Sequence, residues 1–457
     1  MEVSFLGAAD TVTGSRYLIR SGKTQILVDC GLFQGYKKLR LRNWLPPSFA
    51  PSEIDAVILT HAHLDHSGYI PLLVKNGFRG NVYCTSATKD LCSVLLPDSG
   101  YLQEEEARHA NKHGFSKHKP ALPLYTESEA AASMNYFSPI PWKEKTKISK
   151  PGDKNSIEFT LFPAGHLFGA ASVLLEAEAK SICFSGDLGR RSDPVTRLPE
   201  FNIGCDELVI ESTYGNREHL SVDPQEELKE IILETFKKNG TLLIPSFAVG
   251  RAQLVLHYIR QLKLKSQIPD IPVFLNSPMA AKANEVFCRH FEESKMDLKE
   301  AQAICATAKI VASAEDSIKL NERKDPMIII AASGMATGGR ILHHLKVFGT
   351  DPKNTILFVG FQAGGTRGDA ILNGAQEVKI HGEYWPIRAQ IAHLDSMSAH
   401  ADRNELLSWI RNLNQKPKRI FVTHGEPMAS DELRRKIQEE FKIQTLIPEM
   451  GESFSLT

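Results

Sequence analysis

Short apolar segments bounded by Gly, Asp, Asn and Pro dominate the first 210 residues of the chain. Val, Ile, Leu and Phe fill these segments, and such residues in short runs favour strands. Only residues 70–75 show the beginning of a helical pattern in this region. We therefore predict a strand-rich region with strands at residues 3–6, 17–20, 25–29, 56–60, 156–162, 171–176 and 181–185.

The pattern changes near residue 213, where predicted strands and helices begin to alternate. The expected order is helix 224–238, strand 241–244, helix 250–262, strand 272–275, helix 280–291, strand 327–331, helix 340–347 and strand 355–359. Strict alternation of this kind is typical of a parallel α/β sheet. After Trp385 the predicted order is strand, helix 403–413, strand 419–423 and helix 430–441. These patterns indicate a strand-rich domain that an α/β insertion interrupts and the C-terminal segment completes.

Composition narrows the class of protein. The 457 residues are 42% hydrophobic and 24% charged, as in ordinary globular proteins, which excludes collagen-like and disordered chains. Lys+Arg and Asp+Glu both number 54, so a nucleic-acid partner would need a local basic patch rather than bulk positive charge. The basic stretches 37–42 and 108–119 are interpreted as solvated surface.

Cysteine usage and the apolar runs bear on location. The seven cysteines are scattered without a CxxC pair, which is typical of reduced thiols in a cytosolic protein. The N-terminus has no signal-peptide pattern, and the longest apolar run, residues 327–332, is far shorter than a membrane span. We expect a cytoplasmic protein without a membrane partner.

The strongest chemical signal is the sequence His61-Ala62-His63-Leu64-Asp65-His66, directly after a predicted strand. In extended backbone His61 and His63 point the same way and can reach one metal ion. Asp65 and His66 follow where the chain turns and can face a second metal nearby. Imidazole and carboxylate together suit Zn²⁺, and folding alone does not require four such groups in six residues.

Further ligands are expected where other strands end. His166, Asp187 and His424 each follow an apolar strand and have a Gly neighbour, as ligands on tight loops do. Each of them alone is more often a turn residue, but they reinforce the histidine-rich motif. Together these residues predict a site for two metal ions.

These motifs, in order and context, resemble the metallo-β-lactamase fold and its nucleic-acid-processing branch, the β-CASP family. Glu211 in Glu-Ser-Thr-Tyr-Gly, His400 in Ser-Ala-His and His424 in His-Gly-Glu are similar to the family's motifs A, B and C. The resemblance covers essentially the whole chain and is nearest to the RNA-cleaving members. It implies an α/β fold, an αββα sandwich with an inserted α/β (β-CASP) domain. The expected domains are 1–211 and 388–457 for the two parts of the sandwich and 212–387 for the insertion.

The resemblance also implies roles for individual residues. One Zn²⁺ would bind His61, His63 and His166, a second would bind Asp65, His66 and His424, and Asp187 would bridge the two. Asp29 would orient the ligands without binding metal itself, His400 would be the general acid, and Glu211 would orient His400. Asp65, His400, Glu211 and Asp29 form the expected catalytic set. The implied activity is hydrolysis of RNA phosphodiester bonds by a metal-bridging hydroxide, leaving 5′-phosphate and 3′-hydroxyl ends.

Substrate contacts are expected in the insertion. Three Gly-rich turns, at residues 245–251, 333–340 and 364–368, each carry an arginine and could cradle phosphate groups. The predicted substrate-binding residues are Ser246, Arg251, Ser277, Arg340 and Arg367. The expected partner is single-stranded RNA, with a homodimer as an allowed assembly.

Three other functions fit the sequence less well. A DNA-processing nuclease of the same fold typically has an apolar residue in place of His424, a catalytically silent RNA-binding subunit would lack ligands, and a small-molecule hydrolase would lack the insertion. Several histidines outside the motifs are predicted to be structural or solvated: His393 as structural, His109 and His113 as surface residues, and His343 and His344 on the solvated face of a helix.

Overall fold

Residues 1–218 and 400–457 form one unit of the computed structural model, the sandwich unit, and residues 219–399 form a second, the insertion unit. The structure describes residues 1–114, 116, 118–150, 152–153, 155–219, 222–247, 249–277 and 279–457, without the side chains of residues 280 and 281. Ala248, which belongs to one of the three predicted phosphate-binding turns, lies outside the described residues.

In its described residues, the first part of the sandwich unit contains eleven strands and five α-helices. The strands are β1 (Glu2–Phe5), β2 (Tyr17–Ser21), β3 (Thr24–Val28), β4 (Ala56–Ile58), β5 (Asn81–Cys84), β6 (Phe137–Pro139), β7 (Thr146–Ile148), β8 (Ile157–Pro163), β9 (Ala171–Ala177), β10 (Lys180–Phe184) and β11 (Glu207–Glu211). The helices are α1 (Lys37–Arg42), α2 (Leu64–Ser67), α3 (Ile70–Lys75), α4 (Ser86–His113) and α5 (Glu127–Ser133).

The insertion unit alternates helices and strands, and the C-terminal segment returns to the sandwich unit. The insertion contains α6 (Pro224–Lys237), β12 (Leu242–Pro245), α7 (Arg251–Leu264), β13 (Val273–Asn276), α8 (Ala280–Arg289), α9 (Leu298–Cys305), β14 (Lys309–Ile310), α10 (Ala314–Glu322), β15 (Ile328–Ala331), α11 (Ile341–Phe348), β16 (Thr355–Val359), α12 (Arg367–Leu372), β17 (Glu377–Ile380), β18 (Glu383–Pro386) and β19 (Gln390–Leu394). The C-terminal segment contains α13 (Arg403–Arg411), β20 (Arg419–Thr423), α14 (Pro427–Phe441), β21 (Gln444–Leu446) and β22 (Ser453–Ser455).

Two seven-stranded sheets build the sandwich unit, in the orders β22-β1-β2-β3-β4-β5-β6 and β21-β20-β11-β10-β9-β8-β7. One apolar core joins them: Phe5, Val28 and Ile58 from the first sheet and Phe159 and Phe184 from the second belong to the same buried cluster. Burial of such large side chains is the main stabilising contribution to a fold of this kind. The architecture is the αββα sandwich that the resemblance implied.

Strand direction brings several strand ends to one edge. In the second sheet β10, β11 and β20 run parallel, and β8 runs the same way because it is antiparallel to β9, which is antiparallel to β10. In the first sheet β3 and β4 are parallel. The segments that follow the carboxyl ends of these strands therefore lie together, which is where the predicted ligands occur.

The prediction of a strand-rich N-terminal region missed α4, a helix of 28 residues. Pro97 and Gly100 lie inside this helix, and its C-terminal half is mostly polar, so the apolar pattern that marks a helix is broken. Gly100 is required by packing, because a Cβ there would lie 2.6 Å from the carbonyl oxygen of Thr126 at the start of α5. Tertiary contacts, rather than local pattern, determine this helix.

The insertion unit has a six-stranded sheet in the order β14-β13-β15-β12-β16-β19, and each neighbouring pair is parallel. This agrees with the α/β sheet predicted from alternation. The prediction that His344 faces solvent is wrong: the side chain is fully buried on α11. Its two ring nitrogens lie 2.6 Å from amide groups of Asn276 and Asn321, which is how a buried imidazole is accommodated. His343 is exposed, as expected.

Among the described helices, none is both long and apolar enough to span a lipid bilayer.

Candidate metal centre

The histidine-rich motif occupies the turn between β4 and α2. His61 follows β4, His63 is the residue before α2, and Asp65 and His66 lie on α2 itself. The backbone nitrogen of His66 donates to the carbonyl oxygen of His63, so the chain folds back within the motif. This turn places His61 and His63 in one group of neighbouring donor atoms and Asp65 and His66 in another.

A first group of ligand atoms comes from His61, His63, His166 and Asp187, and all of these atoms lie within 4.8 Å of one another. Nδ1 of His63 lies 3.1 Å from Nε2 of His61 and 3.2 Å from Nε2 of His166. Oδ2 of Asp187 lies 3.4 Å from Nε2 of His61 and 3.6 Å from Nε2 of His166. Three imidazoles and one carboxylate converging in this way could hold one metal ion.

A second group comes from Asp65, His66 and His424. Nε2 of His66 lies 3.1 Å from Nε2 of His424, and Oδ2 of Asp65 lies 3.5 Å from Nε2 of His424. Oδ1 of Asp187 lies 3.4 Å from Nε2 of His66 and 3.7 Å from Nδ1 of His424. The two oxygens of Asp187 therefore face different groups of ligands.

The chemistry of this donor set suits a cation. Imidazole nitrogens about 3 Å apart whose lone pairs converge repel one another, and a cation bound between them removes this repulsion. Within the described part of the chain, the buried Nδ1 of His166 and Oδ1 of Asp187 have no hydrogen-bond partner. Buried polar atoms are rarely left in this state, and a metal ion satisfies the carboxylate oxygen directly.

Asp29 lies behind the ligands and fixes one of them. Its Oδ2 lies 2.7 Å from Nδ1 of His66, so this nitrogen carries the proton and Nε2 keeps its lone pair for a metal. Thr60 holds Asp29 in turn, donating from its backbone nitrogen at 2.8 Å and from its hydroxyl at 2.9 Å. The carboxylate is therefore positioned rather than mobile.

Two threonines support the ligand histidines, and the sequence analysis missed both of them. Oγ1 of Thr60 lies 3.0 Å from Nδ1 of His61, and Oγ1 of Thr213 lies 3.1 Å from Nδ1 of His424. Their sequence positions offer a signal: Thr60 directly precedes the motif, and Thr213 follows the acidic motif at Glu211. Hydroxyl groups beside ligand motifs commonly orient imidazole rings.

The backbone at the site adopts uncommon conformations. Asp29 and His424 have φ values of 58° and 51°, in the left-handed region that residues other than glycine rarely occupy. Gly31 allows the segment after Asp29 to approach the motif, because a Cβ there would lie 1.6 Å from the carbonyl oxygen of Asp65. Such conformations persist where surrounding structure enforces them, and they cluster at functional sites.

His400 and Glu211 form a pair beside the two groups. Nδ1 of His400 lies 3.0 Å from Oε2 of Glu211, and Nε2 lies 4.0 Å from Oδ2 of Asp187. The His400 side chain is 15% exposed, whereas that of His166 is 1% exposed. Glu211 also belongs to a third set of nearby donor atoms, with Asp187 and His424, so it could serve as a ligand as well as a hydrogen-bond partner.

Electrostatics favour neutral histidines and ionised aspartates at the centre. Burial, reinforced by His61, lowers the pKa of His63 to about 3. Burial likewise holds the pKa of His166 well below its usual value. Burial alone would raise the pKa of Asp187, but the charges of His424 and His66 hold it well below its usual value. Neutral imidazole and ionised carboxylate are the forms that bind metal ions.

The pKa of His400 is raised, whereas the pKa values of His63 and His166 are lowered. Burial lowers it, but the charge of Glu211 and the hydrogen bond between the two side chains outweigh burial and raise the pKa above its usual value. A raised pKa helps this imidazole to hold a proton at neutral pH. This is the property that a general acid needs.

The predicted substrate-binding residues lie in the insertion unit. Ser246 and Ser277 follow β12 and β13 and are buried. The guanidinium groups of the three arginines donate to main-chain carbonyl groups. Arg251 donates to Met397, Arg340 to Val311 at 2.9 Å, and Arg367 to Lys379 at 2.6 Å and Thr337 at 3.0 Å. These contacts give the arginines structural partners, and their contact with phosphate stays a prediction.

Three sequence profiles match the chain. Residues 10–204 match the profile described as the metallo-beta-lactamase superfamily, residues 252–371 match the Beta-Casp domain, and residues 384–448 match the Zn-dependent metallo-hydrolase RNA specificity domain. A solved structure, a protein of unknown function from Enterococcus faecalis V583, covers 99% of both chains with a TM-score of 0.53 and 15% identity. That likeness supports the fold alone.

Curated proteins give closer matches over nearly the whole chain. The chain is 35% identical to "Ribonuclease TTHA0252" of Thermus thermophilus, with 93% of each chain covered. It is 31% identical to "Transcription termination factor FttA" of Methanosarcina mazei, covering 97% of this chain and 70% of that protein, and 30% identical to "RNase J-like protein" of Methanocaldococcus jannaschii, covering 98% of both. With its sandwich, its inserted parallel sheet and its buried metal centre, the chain belongs to the β-CASP family of metallo-β-lactamase-fold proteins.

Proposed function

We propose that the protein is a zinc-dependent ribonuclease that binds two zinc ions and hydrolyses single-stranded RNA. The observation that carries the proposal is the placement of Asp187, whose Oδ2 faces His61 and whose Oδ1 faces His66. A carboxylate between two sets of ligands is what a two-metal phosphodiesterase needs. The names of the relatives support RNA as the substrate class.

We assign His61, His63 and His166 to one zinc, Asp65, His66 and His424 to the other, and Asp187 to both. Bound zinc would supply positive charge for the scissile phosphate and a water molecule of lowered pKa. Asp29, Thr60 and Thr213 hold the ligand imidazoles in the tautomer and orientation that metal binding requires.

Protonation of the leaving group is assigned to His400. Glu211 accepts a hydrogen bond from Nδ1 of His400, which leaves Nε2 to give its proton to the departing 3′-oxygen. In this scheme Asp65 is both a ligand and a member of the catalytic set. Water rather than the substrate's own 2′-hydroxyl is the nucleophile in this scheme, so the products carry 5′-phosphate and 3′-hydroxyl ends.

The remaining assignments are part of the same proposal. The seven cysteines are free thiols, which supports a reducing, cytoplasmic location. Ser246, Arg251, Ser277, Arg340 and Arg367 are proposed to contact substrate. The domain boundaries at residues 211 and 387 and a homodimer also stay proposals, to be tested by limited proteolysis and by analytical ultracentrifugation.

One experiment tests the activity directly. Purified protein is treated with a strong chelator, dialysed, and incubated with end-labelled single-stranded RNA before and after zinc is restored. We expect cleavage only with zinc restored, and the matched DNA oligonucleotide to remain intact. Equal cleavage of the DNA would identify a DNA-processing nuclease. RNA binding without cleavage in the zinc-loaded protein would identify a silent RNA-binding subunit.

A further inference from the structure

An exposed surface follows the strand that leads to Asp29. It consists of residues 36–45 and is called here the 36–45 surface. Its aromatic side chains, Tyr36 and Trp44, are 58% and 56% exposed. The short helix within it, α1, lies wholly in the described part of the chain, and each of its residues is at least partly exposed. Large aromatic side chains usually bury, so two exposed ones on a single surface need an explanation.

The 36–45 surface is positively charged, unlike the chain as a whole. Residues 36–45 contain Lys37, Lys38, Arg40 and Arg42 and no Asp or Glu, in a chain whose formal net charge is zero. Like charges at neighbouring helical positions repel and destabilise a helix. Lys37 and Lys38 lie in the first turn of α1, where positive charge opposes the helix dipole, so they are better explained by a negatively charged ligand.

The surface is attached firmly to the metal centre. Asn43 is buried; its Oδ1 accepts from the backbone nitrogen of Phe33 at 2.9 Å and its Nδ2 donates to the carbonyl oxygen of Phe33 at 2.8 Å. The segment before Phe33 is hydrogen-bonded to the ligand motif: the backbone nitrogen of Cys30 donates to the carbonyl oxygen of His66 at 2.7 Å, and that of Leu32 to Leu64 at 2.9 Å. The position of the surface relative to the ligands is therefore fixed within the sandwich unit.

We propose that the 36–45 surface is a binding site for single-stranded RNA that holds the strand beside the metal centre. This inference rests on the proposed function and adds a second substrate-contacting region to it. Tyr36 and Trp44 stack on bases, and the cations contact backbone phosphates, which is the combination that single-stranded nucleic acids require. A second copy of the chain suits the surface less well, because a two-fold interface would bring two basic surfaces together.

Two variants separate the contribution of the cationic side chains to RNA binding from that of the aromatic side chains. The charge variant is Lys37→Ser/Lys38→Ser/Arg40→Ser, and the aromatic variant is Tyr36→Ser/Trp44→Ser. Arg42 is left intact because its guanidinium contacts the Phe33 ring and Met450. The matched control is Lys112→Ser/Lys147→Ser/Lys416→Ser, which removes three exposed lysines elsewhere in the sandwich unit.

Binding and turnover are measured separately. Binding is followed by fluorescence anisotropy with a labelled single-stranded RNA of about 20 nucleotides, with every variant built on His400→Ala so that the RNA stays intact. Turnover of bis(p-nitrophenyl) phosphate is followed with His400 present, because this small diester needs only the metal centre. If no diester is cleaved by the unaltered chain, the proposed function fails, and anisotropy still decides the present inference.

We expect the charge variant to weaken RNA binding at least about 10-fold and to reduce the slope of log K against log salt by about 2, since each phosphate contact on a single strand contributes about 0.7. The aromatic variant should weaken binding about 5- to 100-fold with an unchanged slope. Turnover of the small diester and RNA binding by the control should both stay within about twofold of the unaltered chain.

Four results would overturn the inference. The first is that both variants bind RNA as tightly as the control does. The second is a parallel loss of RNA binding and small-diester turnover, because the substitutions would then act through the metal centre. The third is a change of oligomeric state in the ultracentrifuge with unchanged RNA binding, which would identify a contact between copies. The fourth is that the two variants lose binding to anionic phospholipid vesicles while their RNA binding is unchanged.

Discussion

Nδ1 of His400 lies 3.0 Å from Oε2 of Glu211, and the other oxygen of that carboxylate accepts from the backbone nitrogen of Leu188 at 2.6 Å. Glu211 is thereby held from both sides, and it fixes the ring of His400 with Nε2 directed towards Asp187. The pair is arranged as a positioned proton donor beside the two groups of ligands, rather than as another ligand histidine.

The first prediction separates proton donation from metal binding. His400→Ala should retain full metal content, because His400 lies outside the two histidine groups, and it should lower cleavage about 10²- to 10⁴-fold, the usual contribution of a general acid. Metal content is measured by elemental analysis and cleavage by steady-state kinetics. His109→Ala, on α4, serves as the control for loss of a histidine. Loss of metal from His400→Ala would contradict the assignment.

The second prediction concerns the bridging carboxylate. Asp187→Asn should lose most of both metal ions, and with them activity, because one substitution weakens both sets of ligands at once. Elemental analysis should find about two metal ions in the unaltered chain and well below about one in the variant. Asp431→Asn, at an exposed carboxylate, should keep both. A variant that retains one metal ion in full would mean that Asp187 serves a single site.

The positions of four candidate ligands could be predicted from sequence because each of the four follows a buried strand. His61, His166, Asp187 and His424 stand directly after apolar runs, and parallel strands bring such positions to one edge. The resemblance added the pairing of His400 with Glu211. The structure places Nδ1 of His400 3.0 Å from Glu211.

Other features could not be predicted because distant residues decide them. The long helix α4 contains Pro97 and Gly100, and its stability comes from packing against α5 rather than from its own pattern. His344 looks like a surface residue in sequence, but it is buried because Asn276 and Asn321 reach it from other elements. The contacts of the three arginines with carbonyl groups depend on loop geometry in the same way.

The third prediction tests the role of Arg340. Its guanidinium donates to Oδ1 of Asn276 at 2.7 Å and to the carbonyl oxygens of Val311 and Ala312. Arg340→Ala leaves these acceptors without their donor, so the free energy of unfolding of the insertion unit should fall by about 2 kcal/mol. Urea unfolding measures this, with Lys319→Ala on the exposed face of α10 as control. A reduced salt slope for RNA binding at unchanged stability would instead indicate a phosphate contact.

The fourth prediction concerns the products. Cleavage of RNA should leave 5′-phosphate and 3′-hydroxyl ends, because water attacks phosphorus while His400 protonates the 3′-oxygen. Mass spectrometry of the fragments distinguishes these ends from others. A single 2′-deoxy nucleotide at the cleaved position should leave the rate nearly unchanged. A 2′,3′-cyclic phosphate product, together with loss of cleavage at the 2′-deoxy position, would show that the substrate's own 2′-hydroxyl is the nucleophile.

The fifth prediction is a pH dependence of stability. Burial, with a smaller contribution from the charge of Glu127, raises the pKa of Asp98 from 3.8 to about 6. The ionised carboxylate therefore destabilises the folded chain, an effect absent below pH 3.8 and complete above about pH 6. Asp98→Asn should raise the free energy of unfolding by about 1–3 kcal/mol at neutral pH, and the gain should vanish as pH falls through this window.

Urea unfolding at several pH values measures this difference. Glu144→Gln, which removes an exposed carboxylate, should leave stability nearly unchanged at every pH. If Asp98→Asn proves neutral or destabilising near pH 7, the carboxylate must make a favourable contact that outweighs its burial.

The second group of ligands is drawn from two distant parts of the polypeptide. Asp65 and His66 come early, whereas His424 follows β20, which takes its place beside β11 only after the whole insertion has been made. During synthesis the chain contains His61, His63 and His66 long before it contains His424 and the strand that carries it. The second group of ligands therefore cannot be complete until the whole insertion and β20 have been made.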